Sequence, residues 1–287
     1  MCEIFPCPAV KVFAPNTRGR DFVVGDIHGH FEHLYTLLRA LNFNPQGDRV
    51  FSVGDIIDRG PNSEIALAWL GTQWFHAVRG NHEQAAVECA AGTGNIAKHK
   101  RTGGSWLYEL PASIQAEIVK GLEELPFMIE INLSNGQKVG IVHAQAPVLL
   151  DTDGWNEAKD HISGLNGADA QRKALALALT ARSKLQERDH GIIRGLDRLY
   201  VGHSTVPQIT HLGNATYIDT GCSFGDGALS LVELNTGAMA VVHMRGASGE
   251  QNIDINEKSV RESRLANLPP CHSANPAPPY AASDDQQ

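Results

Sequence analysis

The sequence has no apolar run long enough to cross a bilayer, so we expect no membrane-spanning segment. Its first residues show no basic segment followed by an apolar core, so we also expect no signal peptide. The sequence has fewer basic than acidic residues, with 24 lysines and arginines against 32 aspartates and glutamates, which gives a net charge of −8. An acidic chain without a basic stripe is a poor candidate for binding nucleic acid or an anionic membrane, so we expect neither partner.

Cysteine is scarce and scattered, with an odd count and no Cys-x-x-Cys spacing. The five residues are Cys2, Cys7, Cys89, Cys222 and Cys271. This pattern argues against a disulfide framework and predicts reduced thiols in the cytoplasm. Apolar residues make up 42% of the 287, which is enough for one sizeable core.

Three short polar strings organise the first third of the chain. They are Gly25–Gly29 (GDIHG), Gly54–Gly60 (GDIIDRG) and Gly80–Glu83 (GNHE). Each follows a short, β-rich apolar run that predicts a buried strand, so each string lies at the carboxyl end of a strand. Glycine lets the backbone turn sharply there and leaves space for an ion or a phosphate. The side chain that follows then points into the crevice where open α/β sheets bind their ligands.

The strings supply oxygen and imidazole donors without any thiolate, namely Asp26, His28, Asp55 and Asn81. This donor set suits manganese, iron, zinc or a similar divalent ion. A single Gly-Asp after a strand is usually just a turn. Three such sites in one chain, each with a second His, Arg or Asn, are not explained by turns and predict a metal site.

The rest of the chain predicts an α/β protein. Leucines at helical spacing follow the first string (Leu34, Leu37, Leu38 and Leu41), and helix-like segments follow the other two, which indicates a largely parallel sheet. Asn-Gly between the apolar runs 127–133 and 138–142 predicts a hairpin. Further helices are predicted at 111–124 and 169–187. Further strands are predicted at 198–201, 216–218, 228–234 and 239–243.

Three segments show no regular pattern. Residues 1–20 predict a loose arm or an edge strand ahead of a single domain at 21–246. Residues 92–104 predict a polar, glycine-rich loop, and 148–167 predict an acidic irregular segment. From 247 to 287 the chain is rich in Asn, Ser, Pro, Ala and Asp, which predicts a disordered tail.

In this order, the three strings resemble the phosphoprotein phosphatases, a branch of the calcineurin-like metallophosphoesterases that includes the serine/threonine protein phosphatases, here of the bacterial and phage type. The resemblance continues at Val142–Ala144 and Val201–Ser204 and covers roughly 21–234. It implies an α/β/β/α sandwich of two mixed sheets flanked by helices. It also implies two divalent ions, manganese first, with iron or zinc as alternatives. The implied ligands are Asp26 and His28 for one ion, Asn81, His143 and His203 for the other, and Asp55 as the bridge.

The resemblance also implies catalytic roles, with a hydroxide held between the ions attacking phosphorus. His82 is then the general acid, with Asp58 as the partner that orients its imidazole. Glu83 is expected to shape the start of the following helix. The expected phosphate-binding arginines are Arg59 and Arg79, with either Arg182 or Arg194 as a third.

Two details depart from the family pattern. Thr180 stands two residues before Arg182, where the family often has tryptophan. Ala144 follows His143, where eukaryotic members carry glycine. We expect neither to disable the site.

The substrate class stays open between two related hydrolases. Phosphoserine or phosphothreonine esters are favoured, because Asp58-Arg59 and Glu83 match the protein phosphatases. The alternative is a diadenosine tetraphosphate hydrolase, which the segment Asp219–Cys222 resembles. A non-catalytic binding module is disfavoured, because every candidate ligand is present. The expected partner is a phosphorylated protein or a small phosphoester, and the sequence does not predict an oligomeric state.

Overall fold

The computed structural model describes residues 8–244 and 253–256. The predicted disordered tail therefore lies outside the described residues except for a short strand at Ile253–Asn256, which pairs with Met239–His243. Among the residues described, no helix combines the length and the apolar character that a bilayer span needs.

The strands form two sheets of six. The first has the order β1-β5-β6-β7-β9-β8 and the second β12-β11-β10-β2-β3-β4. The strands are β1 (Val10–Phe13), β2 (Asp21–Val24), β3 (Arg49–Ser52), β4 (Phe75–Ala77), β5 (Met128–Asn132), β6 (Lys138–Val142), β7 (Arg198–Val201), β8 (Thr210–Leu212), β9 (Ala215–Tyr217), β10 (Ala228–Glu233), β11 (Met239–His243) and β12 (Ile253–Asn256).

The helices pack on the outer faces of these sheets. They are α1 (Phe31–Ala40), α2 (Ala66–Leu70), α3 (Asn81–Ala90), α4 (Ile96–Arg101), α5 (Ala112–Glu123), α6 (Trp155–Ile162), α7 (Ala168–Thr180) and α8 (Ser183–Gln186), with 3₁₀ helices at Ser63–Ile65 and Gly104–Glu109.

The core has three layers, as expected for two sheets packed face to face. Side chains from both sheets, such as Phe51 of β3 and Ile141 of β6, fill the central layer. A second cluster lies between the β2–β3 sheet and α1, α2 and α5, and a third between the other sheet and α6 and α7. Both sheets mix parallel and antiparallel pairs. The predicted α/β/β/α sandwich is confirmed.

The amino-terminal segment takes the edge-strand form of its two predicted alternatives. β1 pairs in parallel with β5 at the edge of the first sheet. Phe13 at its end packs edge-on against Phe51, with ring centroids 4.9 Å apart. This aromatic contact ties the segment to the central layer.

Two segments predicted to be irregular contain helices instead. Residues 92–104 include α4, which starts where the Asn95 side chain accepts the backbone N–H of Lys98. Residues 148–167 include α6, which buries Trp155 and Ile162 against the first sheet. α4 buries only His99 and so shows no helical stripe, whereas α6 buries Trp155, Ala158 and Ile162 at helical spacing but within a short, largely polar run.

The long helix predicted at 169–187 is wrong in its second half. α7 ends at Thr180, because the next residue, Ala181, is extended with ψ of 144°. Arg182 follows at φ of −130°, and α8 begins only after it. Arg182 therefore lies in the connection between two helices and not on a continuous helix surface.

Candidate active site

Five loops that follow strands converge on one site. The second sheet contributes the loops after β2, β3 and β4, which carry Asp26, Asp55 and Asn81. The first sheet contributes the ends of the parallel strands β6 and β7, which carry His143 and His203. Carboxyl ends of parallel strands meet at one edge, so residues far apart in sequence come together there.

Two glycines are required for this convergence. A Cβ atom on Gly202 would lie 1.9 Å from Asp26 Oδ1, and one on Gly80 would lie 2.2 Å from Asp55 Oδ1. No side chain fits at either distance, so the backbone of one loop approaches the carboxylate of another only because these residues are glycine.

Several non-glycine residues of the site adopt positive φ angles, which are costly for such residues. The values are 45° for His28, 47° for Asp55, 70° for Asp58, 66° for Arg59 and 62° for His203. Such strain persists only when the surrounding contacts enforce it, and at this site it aims side chains at a common centre.

Asp55 lies at the centre of the donor set. Its Oδ1 is 3.4 Å from His143 Nε2, and its Oδ2 is 3.8 Å from His28 Nε2. Asp55, His143 and His203 form one group whose donor atoms lie within 4.8 Å of one another. His28, Asp55 and His82 form a second such group. The shared carboxylate has the position expected of a bridge between two ions.

The other two predicted ligands border these groups. Asn81 Oδ1 lies 3.0 Å from His143 Nε2, and the Asp26 carboxylate accepts the backbone N–H of His203 at 3.1 Å. All six predicted ligands are therefore brought together: Asp26, His28, Asp55, Asn81, His143 and His203.

The histidines present lone pairs as metal ligands should. His28 and His143 donate Nδ1–H to the carbonyls of Ile57 and Val53 at 2.9 and 2.8 Å, so the lone pair of each ring is on Nε2, which faces the donor set. His203 differs, because its Nε2 lies 3.2 Å from the Thr180 carbonyl. In this residue Nδ1 is the nitrogen that remains to bind an ion. Burial lowers the pKa of His28 to about 4 and that of His203 to about 3, so both rings are neutral near pH 7.

The buried carboxylates concentrate negative charge where a cation would bind. Burial, together with the charges of Asp219 and Asp55, raises the pKa of Asp26 well above its usual value. Burial also acts to raise the pKa of Asp55, but the neighbouring imidazoles of His143, His82 and His28 outweigh it and hold the pKa low. A bound cation would relieve the repulsion among these groups, so the residues fit a divalent metal centre.

His82 and Asp58 form the predicted pair. His82 Nδ1 lies 2.7 Å from Asp58 Oδ2, and its Nε2 faces the donor set, 3.9 Å from Asp55 Oδ2. Burial acts to lower the pKa of His82, but Asp55 and Asp58 together raise it above its usual value. Position alone would also let His82 reach an ion, since it shares a donor group with His28.

Arg59 and Arg182 both border the donor set. Arg59 Nη1 lies 3.0 Å from His28 Nε2 and 3.3 Å from Ser223 Oγ, and the side chain is exposed. Arg182 is also exposed and close enough for its charge to contribute to the lowered pKa of His203. Both guanidinium groups are therefore available at the mouth of the site.

Arg79 differs from these two arginines, because its guanidinium packs inside the protein. Its guanidinium lies 4.6 Å from the centroid of the Phe127 ring and donates to Gln84 and to the Glu123 carbonyl at the end of α5. The side chain is buried in this packing, and the backbone N–H of Arg79 donates to the Pro126 carbonyl. These contacts give the Arg79 guanidinium protein partners, and its role in binding phosphate stays a prediction. Arg194, the competitor of Arg182, donates to the Thr152 carbonyl instead.

Glu83 does more than start its helix. It accepts the backbone N–H of Gly80 at 2.8 Å, as a helix-capping residue does. It also accepts the N–H groups of Asp55, Ile56 and Ile57 at 2.9, 2.9 and 3.2 Å. The carboxylate thus fixes the loop that carries Asp55, and burial raises its pKa to about 7.

Two residues near Asp58 were not predicted. His99 Nε2 lies 2.9 Å from Asp58 Oδ2, and Trp106 Nε1 donates to Asp58 Oδ1 at 2.8 Å. Both come from the segment 95–109, which was predicted only as a polar loop leading into a helix. No local signal in the sequence marks His99, because its neighbours Lys98 and Lys100 are charged and exposed.

Comparison with known proteins decides the family. The family model described as calcineurin-like phosphoesterase matches residues 22–207. The chain belongs to this family. It is therefore a phosphoesterase, and members of the family use a dinuclear metal site.

Relatives of two named activities are similar to this chain. Serine/threonine-protein phosphatase 1 of Salmonella typhimurium is 37% identical over 216 residues, which are 74% of this chain and 91% of that protein. Serine/threonine-protein phosphatase 2 of Escherichia coli is 37% identical over 217 residues, 74% of this chain and 92% of that protein. The symmetrical bis(5'-nucleosyl)-tetraphosphatase of Chromobacterium violaceum is 36% identical over 77 residues, 26% of this chain and 28% of that protein.

Solved structures support the fold. A serine/threonine phosphatase from Saccharomyces cerevisiae superposes with a TM-score of 0.53 at 15% identity and covers 92% of this chain and 87% of its own. At that identity the likeness concerns the architecture alone.

Proposed function

We propose that this phosphoesterase hydrolyses phosphoserine and phosphothreonine monoesters. The observation that carries this proposal is the His82–Asp58 pair, whose free Nε2 faces a donor set built for two ions. A serine or threonine alkoxide is a poor leaving group and needs a proton, which this imidazole is placed to supply.

The metal donors divide into two sets that share one carboxylate. Asp26 and His28 would hold one ion, and Asn81, His143 and His203 the other, with Asp55 common to both. Two divalent ions bound there would lower the pKa of water and neutralise phosphate charge. Manganese is the proposed metal, with iron or zinc as alternatives, since the donors are oxygen and imidazole without thiolate.

The two exposed arginines would orient the substrate. A guanidinium can donate two parallel hydrogen bonds to phosphate oxygens. Arg59 lies beside His28, and Arg182 is near enough to His203 for its charge to act on that ring. A phosphate held between them would direct its ester oxygen toward His82 Nε2.

The space beside the site suits a substrate larger than phosphate. A cleft of about 1000 Å³ runs from Arg59, Asn81 and His82 between α3 and α4 on one side and α7 on the other. Residues on both sides of a phosphorylated serine could lie in this cleft. The cleft therefore supports a phosphopeptide as the substrate, and a nucleotide would also fit in it.

Hydrolysis of symmetrical dinucleoside tetraphosphates is the second candidate. It is favoured by the segment Asp219–Cys222, which resembles that group, and by the relative from Chromobacterium violaceum. We place it second because that match spans 28% of the relative, whereas the protein phosphatases match over 91% and 92% of theirs.

A direct comparison of substrates tests the proposal. Metal-stripped protein would be reconstituted with Mn²⁺, Fe²⁺ or Zn²⁺ and assayed on a phosphoserine peptide and on diadenosine tetraphosphate at matched concentrations. We expect metal-dependent release of phosphate from the peptide with the higher kcat/KM. Faster cleavage of the dinucleotide would replace the first candidate with the second.

A further inference from the structure

Asp58 has more partners than its role beside His82 requires. Oδ2 accepts from both His82 Nδ1 and His99 Nε2, at 2.7 and 2.9 Å, and Oδ1 accepts from Trp106 Nε1 at 2.8 Å. Asp58, His82 and His99 are all buried. Hydrogen bonds to a charged group in such a low-dielectric setting are strong, so each donor matters for the position of the carboxylate.

The proton positions on His99 follow from its partners. A carboxylate only accepts, so Nε2 of His99 carries the proton that reaches Asp58. Nδ1 lies 2.8 Å from the Tyr108 hydroxyl and accepts its proton. Burial raises the pKa of Tyr108, which keeps this hydroxyl protonated. His99 is therefore held at both of its ring nitrogens.

The His99 ring also has no room to turn. A Cβ atom on Gly104 would lie 2.3 Å from its Nε2, so the backbone at Gly104 packs directly against the ring. Asp58, in turn, is held at φ of 70° with its backbone N–H on Ser63 Oγ at 2.8 Å. A residue in that strained conformation stays there only if its surroundings hold it.

We propose that His99 is a positioning residue for the acid pair, an inference that rests on the proposed phosphomonoesterase function. By donating to Asp58 Oδ2, it holds the carboxylate in the rotamer that meets His82 Nδ1. Without it, Asp58 would rotate more freely and orient the His82 imidazole less well, which would slow proton donation from His82 Nε2 to the leaving group.

Two substitutions at His99 test this role. His99→Phe keeps a ring but removes the donor, whereas His99→Gln restores an amide donor at a similar reach. Steady-state rates would be measured on phenyl phosphate, whose leaving group needs a proton, and on 4-nitrophenyl phosphate, whose leaving group does not. We expect His99→Phe to lower kcat about 10-fold on phenyl phosphate, about the effect of one hydrogen bond to a charged group.

The same variant should lose less than about 3-fold on 4-nitrophenyl phosphate, with KM little changed on both substrates. His99→Gln should recover most of the lost phenyl phosphate rate. Arg101→Gln, on the exposed side of the same helix, is the matched control and should keep both rates. Equal losses on the two substrates, or equal rates for the Phe and Gln variants, would overturn the proposal and leave His99 a role in folding alone.

Tyr108→Phe covers the case in which His99→Phe does not fold. It removes only the hydroxyl that holds His99 Nδ1, so we expect a smaller loss, about 3-fold, again confined to phenyl phosphate. A loss of the same size on both substrates would contradict the proposal. If the wild type hydrolyses both aryl phosphates but the variants lose no more on phenyl phosphate than on 4-nitrophenyl phosphate, only the role of His99 is overturned. A wild-type protein inactive on both overturns the proposed function as well.

Discussion

The metal donors and the acid pair lie side by side, with His82 Nε2 3.9 Å from Asp55 Oδ2, yet different parts of the fold hold them. The donors sit at the ends of strands, where sheet hydrogen bonds and close glycine contacts fix the backbone. Asp58 is fixed from outside the sheets, by His99 on α4 and Trp106 on the following 3₁₀ helix. A change in the segment 95–109 should therefore alter proton transfer while leaving metal binding intact.

The largest expected effect is on the metal side of this comparison. Asp55→Asn removes the charge of the shared ligand, and we expect kcat to fall about 10³-fold, since metal centres supply several kcal/mol of transition-state stabilisation. Elemental analysis should show fewer ions per chain than in wild type. Asp151→Asn, an exposed carboxylate, is the control. Two ions per chain and unchanged activity in the Asp55 variant would refute the shared-ligand assignment.

The acid side should respond differently. His82→Asn should lower the rate on a phosphoserine peptide about 10²- to 10⁴-fold, the usual contribution of general acid catalysis. The loss on 4-nitrophenyl phosphate should be much smaller, because that leaving group departs without a proton. Metal content should be unchanged, and Asp58→Asn should show the same pattern more weakly. Loss of an ion from the His82 variant would mean that His82 is a ligand.

A single methyl group can test how tightly the strand-end donors are packed. Gly202→Ala would place a Cβ 1.9 Å from Asp26 Oδ1 and push that carboxylate out of position. We expect metal affinity to fall about 10- to 100-fold, as when ligands lose their supporting contacts. Titration of stripped protein with Mn²⁺ measures this, and Gly71→Ala is the control, because Gly71 caps the end of α2 with φ of −71° and a Cβ there would lie 3.2 Å from its nearest neighbour. Unchanged affinity in Gly202→Ala would show that the loop moves to accommodate the methyl group without displacing Asp26.

Substitutions at Arg182 and Arg79 should change different properties, catalytic activity for the exposed Arg182 and stability for the buried Arg79. Arg182→Met should reduce kcat/KM for 4-nitrophenyl phosphate about 10-fold with little change in Tm, because its guanidinium is exposed at the site. Arg79→Met should do the reverse, costing about 1–3 kcal/mol of stability by leaving buried carbonyl partners unsatisfied. Kinetics together with thermal melting separate the two effects. A normal Tm with a raised KM for Arg79→Met would instead support the predicted role of Arg79 in binding phosphate.

The residues of the sequence by themselves predicted an α/β fold and four donors, Asp26, His28, Asp55 and Asn81, whereas the sandwich and the ligand roles of His143 and His203 were implied by the family resemblance. The four donors depend on a local pattern, namely a short apolar run followed by a glycine and then short oxygen or imidazole donors. The chain direction in a parallel sheet brings such strand ends together without further information. Manganese as the metal and a cytoplasmic location stay predictions.

Only the tertiary structure decided which polar side chains support the site. Arg59 and Arg79 look alike in sequence, since each is followed by a glycine of a site string. Arg59 reaches His28, whereas Arg79 reaches the Glu123 carbonyl 44 residues further along the chain. His99 meets Asp58 across 41 residues, because α4 packs over the loop after β3. The partner of a long or aromatic side chain depends on which elements pack next to it. That packing joins segments far apart in the chain, so no local sequence pattern predicts it.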